Sequence, residues 1–95
     1  MTPTLLPQRV LLTGAAGFVG FHVTQALLSC GVTVLGIDNL TPHYDPVLKQ
    51  ARLDLLLPQD GFSFAQIDIA DHDGLLEAFA EFRPEVVIHL AAQAG

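Results

Sequence analysis

The stretch RVLLTGAAGFVG, Arg9–Gly20, decides how this chain folds. Arg9–Thr13 is a short apolar run that stops at a glycine, the pattern of a strand buried in a parallel sheet. From Phe18 the pattern changes to helical spacing, with Phe18, Phe21, Ala26 and Leu28 among the apolar positions as far as Cys30. Gly31 then serves as the terminator. Strand, glycine turn and helix together open a βα unit.

The alternation continues outward. Val32–Asp38 (VTVLGID) is β-branched and apolar, a second buried strand. Thr41–Asp45 is a loop, and Asp45-Pro46 suits an N-cap followed by a first-turn proline, opening a helix through Leu57. Pro58–Gly61 is a turn, Phe62–Asp68 a third strand, and Asp71–Phe82 a helix with acids in its first turn, where the helix dipole favours them. Arg83-Pro84 breaks that helix, and Glu85–Leu90 is the fourth strand. Strands alternating with helices require right-handed crossovers and a parallel sheet covered on both faces. The expected fold is α/β, a doubly wound sheet of Rossmann type with four strands, three helices and the order 3-2-1-4. Residues 1–8 form a tail, and residues 9–95 are the N-terminal portion of such a domain, because a full doubly wound sheet continues for at least two more βα units.

Composition narrows the function. Of the 95 residues 51% are hydrophobic and 15% charged, below the usual charged share of about 25%. That argues against a disordered tail. The formal charge of −6 disfavours a phosphate-backbone partner, so no nucleic acid is expected. One cysteine, Cys30, excludes an internal disulfide. No apolar run of about 18 residues exists, so no membrane span is expected. Arg9 and the later LLSC at Leu27–Cys30 resemble a lipoprotein signal only superficially, since His22, Thr24, Gln25 and several glycines interrupt the run. The expected location is the cytoplasm.

The chemistry lies in TGAAGFVG, Thr13–Gly20. Gly14 suits the tight turn out of the strand, Gly17 leaves a pyrophosphate room at the backbone, and Gly20 permits close packing of the helix. The helix N-terminus offers free N–H groups and a positive dipole to phosphates. The spacing is G-x-x-G-x-x-G rather than the commoner G-x-G-x-x-G. Context strengthens it: a strand precedes, a helix follows, and an acid, Asp38, ends the second strand. A carboxylate there accepts hydrogen bonds from the adenosine ribose and repels a 2′-phosphate. Asn39-Leu40 supplies no arginine to offset that, so NAD is expected rather than NADP. Asp68 ends the third strand in the same way, either beside the adenine or as a helix-capping acid ahead of Asp71. Ala91 and Ala92, after the fourth strand, either leave room for the cofactor or simply pack closely.

These segments carry a resemblance. TGAAGFVG, GIDNL, YDPVLKQARL, IDIAD and VIHLAAQAG resemble the N-terminal part of extended short-chain dehydrogenases/reductases, the NAD-dependent epimerase/dehydratase group. Within it, YDPVLKQARL and HLAAQAG are most similar to UDP-glucuronate 4-epimerases. The resemblance implies tightly held NAD, oxidation of a nucleotide sugar at C4, turnover of the keto intermediate and return of the hydride to its other face. It implies cofactor-binding roles for Gly14, Gly17, Phe18, Val19, Gly20, Asp38, Asn39, Asp68, Ile69, Leu90, Ala91 and Ala92. The family's Tyr-x-x-x-Lys base and its Ser or Thr match nothing here: the only tyrosine, Tyr44, and the only lysine, Lys49, have the wrong spacing and lie before the third strand. No catalytic residue is therefore assigned, and these residues are expected to be inactive by themselves. A non-catalytic module for NAD or ADP-ribose remains an alternative, as does another family member such as a UDP-glucose 4-epimerase or a sugar-nucleotide dehydratase.

Other residues have ordinary readings. The histidines form no i, i+4 pair for a metal, and His89 reads as a satisfied core residue of a buried strand. Asp71-His72-Asp73-Gly74 lacks the acids of a full calcium loop and reads as a solvated helix start. Cys30 has no basic neighbour and reads as an inert thiol. The fourth strand, without a neighbour on its outer edge, is an expected site of self-association and marginal stability.

Overall fold

A computed structural model describes residues 7–40 and 46–91. The elements run β1 (Arg9–Thr13), α1 (Phe18–Ser29), β2 (Thr33–Asp38), α2 (Pro46–Leu56), β3 (Phe62–Gln66), α3 (His72–Phe82) and β4 (Val86–His89). The sheet order is β3-β2-β1-β4 and every pairing is parallel. Leu11 lies opposite Leu35 in β2 and Val87 in β4.

Alternation along β1 divides the core. Val10 and Leu12 face α1 and α2, packing with Phe21, Val34, Leu53 and Leu56. Leu11 points the other way, toward Leu35, Ile37 and Ala78 of α3. Both faces of the strand are thus buried, which is why its sequence is an uninterrupted apolar run. Each such aliphatic side chain contributes roughly 1.5–3 kcal/mol of burial free energy. The α3 face is the thinner layer, and Leu76 and Phe79 of α3 remain exposed.

The helix ends follow from local chemistry. Gly31 adopts φ +81°; its N–H donates to the Leu28 carbonyl, and the Val32 N–H donates to that of Leu27, which closes a Schellman motif after α1. Pro46 is the first residue of α2, while Asp45, its expected cap, lies outside the described residues. Asp71 caps α3, accepting from the Gly74 N–H at 3.1 Å. At its far end Arg83 takes the left-handed conformation, φ 54°, directly before Pro84. The Arg9 guanidinium donates to the carbonyls of Phe82 and Arg83 and stacks over the Phe82 ring. It satisfies groups that the helix leaves open and places a cation at the negative end of its dipole.

β4 corrects one expectation. It is not a buried strand: Val86 and Val87 are 41% and 44% exposed, and His89 is exposed. Among the described residues β4 pairs with β1 alone, so helices and neighbours cover it only in part. His89 is nonetheless satisfied, through Thr13.

Candidate functional site

The carboxyl ends of all four strands converge on one edge of the sheet, the edge where open α/β sheets hold ligands. Gly14 leaves β1 with φ +77°. Its N–H donates to the Ile37 carbonyl at 2.7 Å, and its own carbonyl accepts from Gly17 at 3.0 Å. The loop is thereby folded back on β2. A Cβ on Gly14 would lie 2.9 Å from both the Ala91 nitrogen and the Leu90 carbonyl carbon, so the chain after β4 passes directly against the turn. A Cβ on Gly20 would lie 1.9 Å from the Gly14 oxygen. Gly20 therefore allows the helix to close on the loop itself, a tighter constraint than packing on the sheet.

Gly17 is the N-cap of α1 and has no side-chain acceptor for the first-turn N–H groups. Those donors are left facing the outer edge, at the positive end of the helix dipole. Phe18 and Val19 stand on this first turn and are exposed, 66% and 57%.

Asp38 lies beside the loop and is only 5% exposed. Its Oδ2 accepts from the Ala16 N–H at 3.1 Å; its Oδ1 accepts from the Leu40 N–H at 2.8 Å and from Lys49 Nζ at 3.2 Å. A carboxylate buried this deeply needs such donors to offset its lost hydration. Arg52, one turn along α2 from Lys49, donates to the Ala16 carbonyl at 3.0 Å and lies over the Phe18 ring. Both polar groups of the Ala16 residue are thus engaged, one by an acid and one by a base. Asn39 follows directly, its carbonyl accepting from Gln66.

Thr13 joins β1 to the end of β4. Its Oγ1 accepts from the Leu90 N–H at 3.1 Å and the Ala91 N–H at 3.2 Å, and lies 2.8 Å from His89 Nδ1. The Leu90 N–H also reaches the Thr13 carbonyl oxygen at 3.2 Å, so backbone and side chain of Thr13 together hold the end of β4. At β3, the Ile67 N–H donates to the Asp38 carbonyl and brings Asp68 and Ile69 to the same edge. Asp68 is exposed; its Oδ1 accepts from Ala70 and its carbonyl from Asp71. Capping of α3 falls to Asp71, so Asp68 shapes the turn before it.

The structure therefore gathers Gly14, Gly17, Phe18, Val19, Gly20, Asp38, Asn39, Leu90 and Ala91 around one edge, with Asp68 and Ile69 at its β3 end. Ala92 lies outside the described residues. Lys49 and Arg52 were not expected there, and Thr13, though inside the glycine motif, had no role of its own assigned. The signal for the first two was their i, i+3 spacing, which puts them on one helix face; for Thr13 it was the register opposite His89.

Comparison with known proteins agrees with this geometry. The model of the NAD dependent epimerase/dehydratase family matches residues 10–95. The chain belongs to that family. Among its epimerase/dehydratase relatives, a UDP-glucuronate 4-epimerase of Thermodesulfobacterium geofontis is 47% identical over 90% of this chain and 26% of its own length. A probable UDP-glucuronate 4-epimerase of Rhizobium meliloti is 46% identical over 92% of this chain and 26% of its own. The crystal structure of a UDP-glucuronic acid 4-epimerase from Bacillus cereus, in complex with UDP-glucuronic acid and NAD, superposes with a TM-score of 0.78 at 38% identity, covering 92% of this chain and 27% of that one. The chain spans about a quarter of the length of these relatives. Among the described residues no helix is long and apolar enough to cross a membrane.

Proposed function

We propose that residues 9–95 form the NAD-holding portion of a nucleotide-sugar epimerase of the UDP-glucuronate 4-epimerase kind, working in the cytoplasm and inactive without further residues. The observation that carries this reading is the 3.1 Å hydrogen bond from the Ala16 N–H to Asp38, which locks the glycine loop and the strand-end acid into one unit. The uncapped start of α1 fits a pyrophosphate, and Asp38 with Asn39 fits the adenosine ribose. Asp68 and Ile69 would stand beside the adenine, while Leu90, Ala91 and Ala92 would border the inner half of the cofactor. When bound, NAD supplies a nicotinamide that accepts a hydride from the sugar and returns it. The chain's own part is to bind and orient it, with Thr13 holding Leu90 and Ala91 in place. No residue among these matches the Tyr-x-x-x-Lys base.

Equilibrium titration of the chain with NAD, ADP-ribose and UDP-glucuronate tests the proposal. NAD and ADP-ribose are expected to bind in the micromolar range and UDP-glucuronate not at all. A folded chain that takes up no NAD at millimolar concentration would sink the reading.

The half-exposed valines of β4 support a second property, self-association through its open edge. Sedimentation is expected to show concentration-dependent association of the chain. Val87→Lys is expected to abolish it, because an edge lysine opposes strand addition. A wild-type chain that stays monomeric at high concentration would rule it out.

A further inference from the structure

β3 forms the sheet edge opposite β4, and among the described residues it pairs with β2 alone. The Val34 N–H donates to the Gly61 carbonyl and the Ile67 N–H to that of Asp38. Backbone groups alternate along a strand, so those of Phe64 and Gln66 face away from β2, toward the open edge. Native edges are commonly blunted by a lysine, another charge or a proline. The β3 sequence, FSFAQ, contains none of them.

Beside this edge, between β3 and α3, runs a groove of about 590 Å3. Leu35, Ala65, Ile67 and Phe82 give it an apolar floor, and Glu77 and Glu81 line it from α3. Asp71, a third acid of the lining, is spent on the α3 cap. Among the described residues no lysine, arginine or histidine lines the groove. The two glutamates stand one helical turn apart, about 6 Å along the axis. Side chains on one face of a strand repeat at about 6.6 Å. A strand laid beside β3 would therefore present alternate side chains to Glu77 and Glu81 in turn.

We infer that the β3 edge and this groove form a docking surface for an extended segment of a partner protein, with basic residues at alternate positions. The segment's backbone pairs with Phe64 and Gln66 by strand addition. Its lysines or arginines reach Glu77 and Glu81, and their alkyl stems cover the apolar floor. The chain does not offer such a segment to a second copy: its four cations, Arg9, Lys49, Arg52 and Arg83, include no two at alternate positions. The groove lining shares no residue with the dinucleotide edge, so the inference stands apart from the NAD reading.

The test is fluorescence anisotropy with two labelled peptides of one composition, Thr-Val-Lys-Val-Lys-Val-Thr and Thr-Val-Lys-Lys-Val-Val-Thr. The alternating peptide is expected to bind with a dissociation constant of about 10–100 µM, as suits an interface below about 1,200 Å2. The second, whose lysines fall on opposite faces, should bind at least tenfold more weakly. Combining Glu77→Gln with Glu81→Gln should weaken the alternating peptide at least tenfold. Combining Asp54→Asn with Asp60→Asn removes as much charge from other exposed positions and should leave binding unchanged. On binding, the Phe64 and Gln66 amides should gain protection from hydrogen exchange. Equal binding of the two peptides, or equal weakening by the two double variants, would reduce the contact to net charge and overturn the inference. Binding without protection of Phe64 and Gln66 would overturn it too, as would no binding at millimolar peptide. Protection that appears without peptide and rises with chain concentration would put a second copy at the edge, against the inference.

Discussion

Gly20→Ala is expected to abolish NAD binding and to lower the melting temperature by about 10–25 °C. The added methyl would lie 1.9 Å from the Gly14 carbonyl oxygen and 2.7 Å from its carbon, atoms of a backbone that has little freedom to move. Gly14 is fixed on three sides: by its N–H to Ile37, by its carbonyl to Gly17, and by the chain at Leu90–Ala91 lying against its α-carbon. The helix must therefore shift outward, which breaks the Gly17–Gly14 hydrogen bond and re-aims the first-turn N–H groups. Forced overpacking of this kind costs about 3 kcal/mol. For a domain of this size each kcal/mol moves the melting temperature by about 4–8 °C, which gives the range stated. Binding suffers beyond the stability loss, because the phosphate-facing donors depend on the position of that turn. Thermal melts followed by circular dichroism and a NAD titration of whatever remains folded check both parts. A melt within a few degrees of wild type would mean that the loop yields where the structure holds it rigid.

The sheet was legible because its signals are local. A buried parallel strand must be apolar throughout, so RVLLT and VTVLGID announce themselves, and glycine or proline punctuates each crossover. The strand order follows from those crossovers and a fixed handedness. Element ends differed by one or two residues, as at β3, where the ladder stops at Gln66 before the turn built by Asp68. The glycine loop and Asp38 were legible for the same reason, being one βαβ unit. Lys49 was not. It lies on the next helix, and nothing in a linear reading places an α2 ammonium against the end of β2. The burial of His89 differs for another reason: an apolar strand reads as covered on both faces, whereas exposure depends on what packs beside it. Thr13 was hidden because its work, accepting from Leu90 and Ala91 while bonding to His89 Nδ1, joins residues more than 70 positions apart in the chain.

Asp38→Ala is expected to destabilise the chain by about 3 kcal/mol and to weaken NAD binding at least tenfold. Among the described residues the carboxylate accepts three hydrogen bonds, in a setting only 5% exposed. Truncation strands the Ala16 and Leu40 N–H groups and leaves Lys49, itself mostly covered, with a charge and no partner among the described residues. Breaking a buried ion pair from one side costs about 3–5 kcal/mol, and the residual exposure of Lys49 places this case at the low end. Asp38→Asn is no remedy: its amide carries donors where Ala16, Leu40 and Lys49 also present donors. The orphaned cation makes a sharper expectation possible. Adding Lys49→Met to Asp38→Ala removes the uncompensated charge, so the double variant should be more stable than Asp38→Ala alone, though below wild type. Urea denaturation of the four proteins closes a double-mutant cycle, with an expected coupling of at least 1 kcal/mol for groups in direct contact. Strict additivity would mean that the ammonium and carboxylate do not share a folded-state interaction, and the charge balance at the end of β2 would then have to be drawn without Lys49.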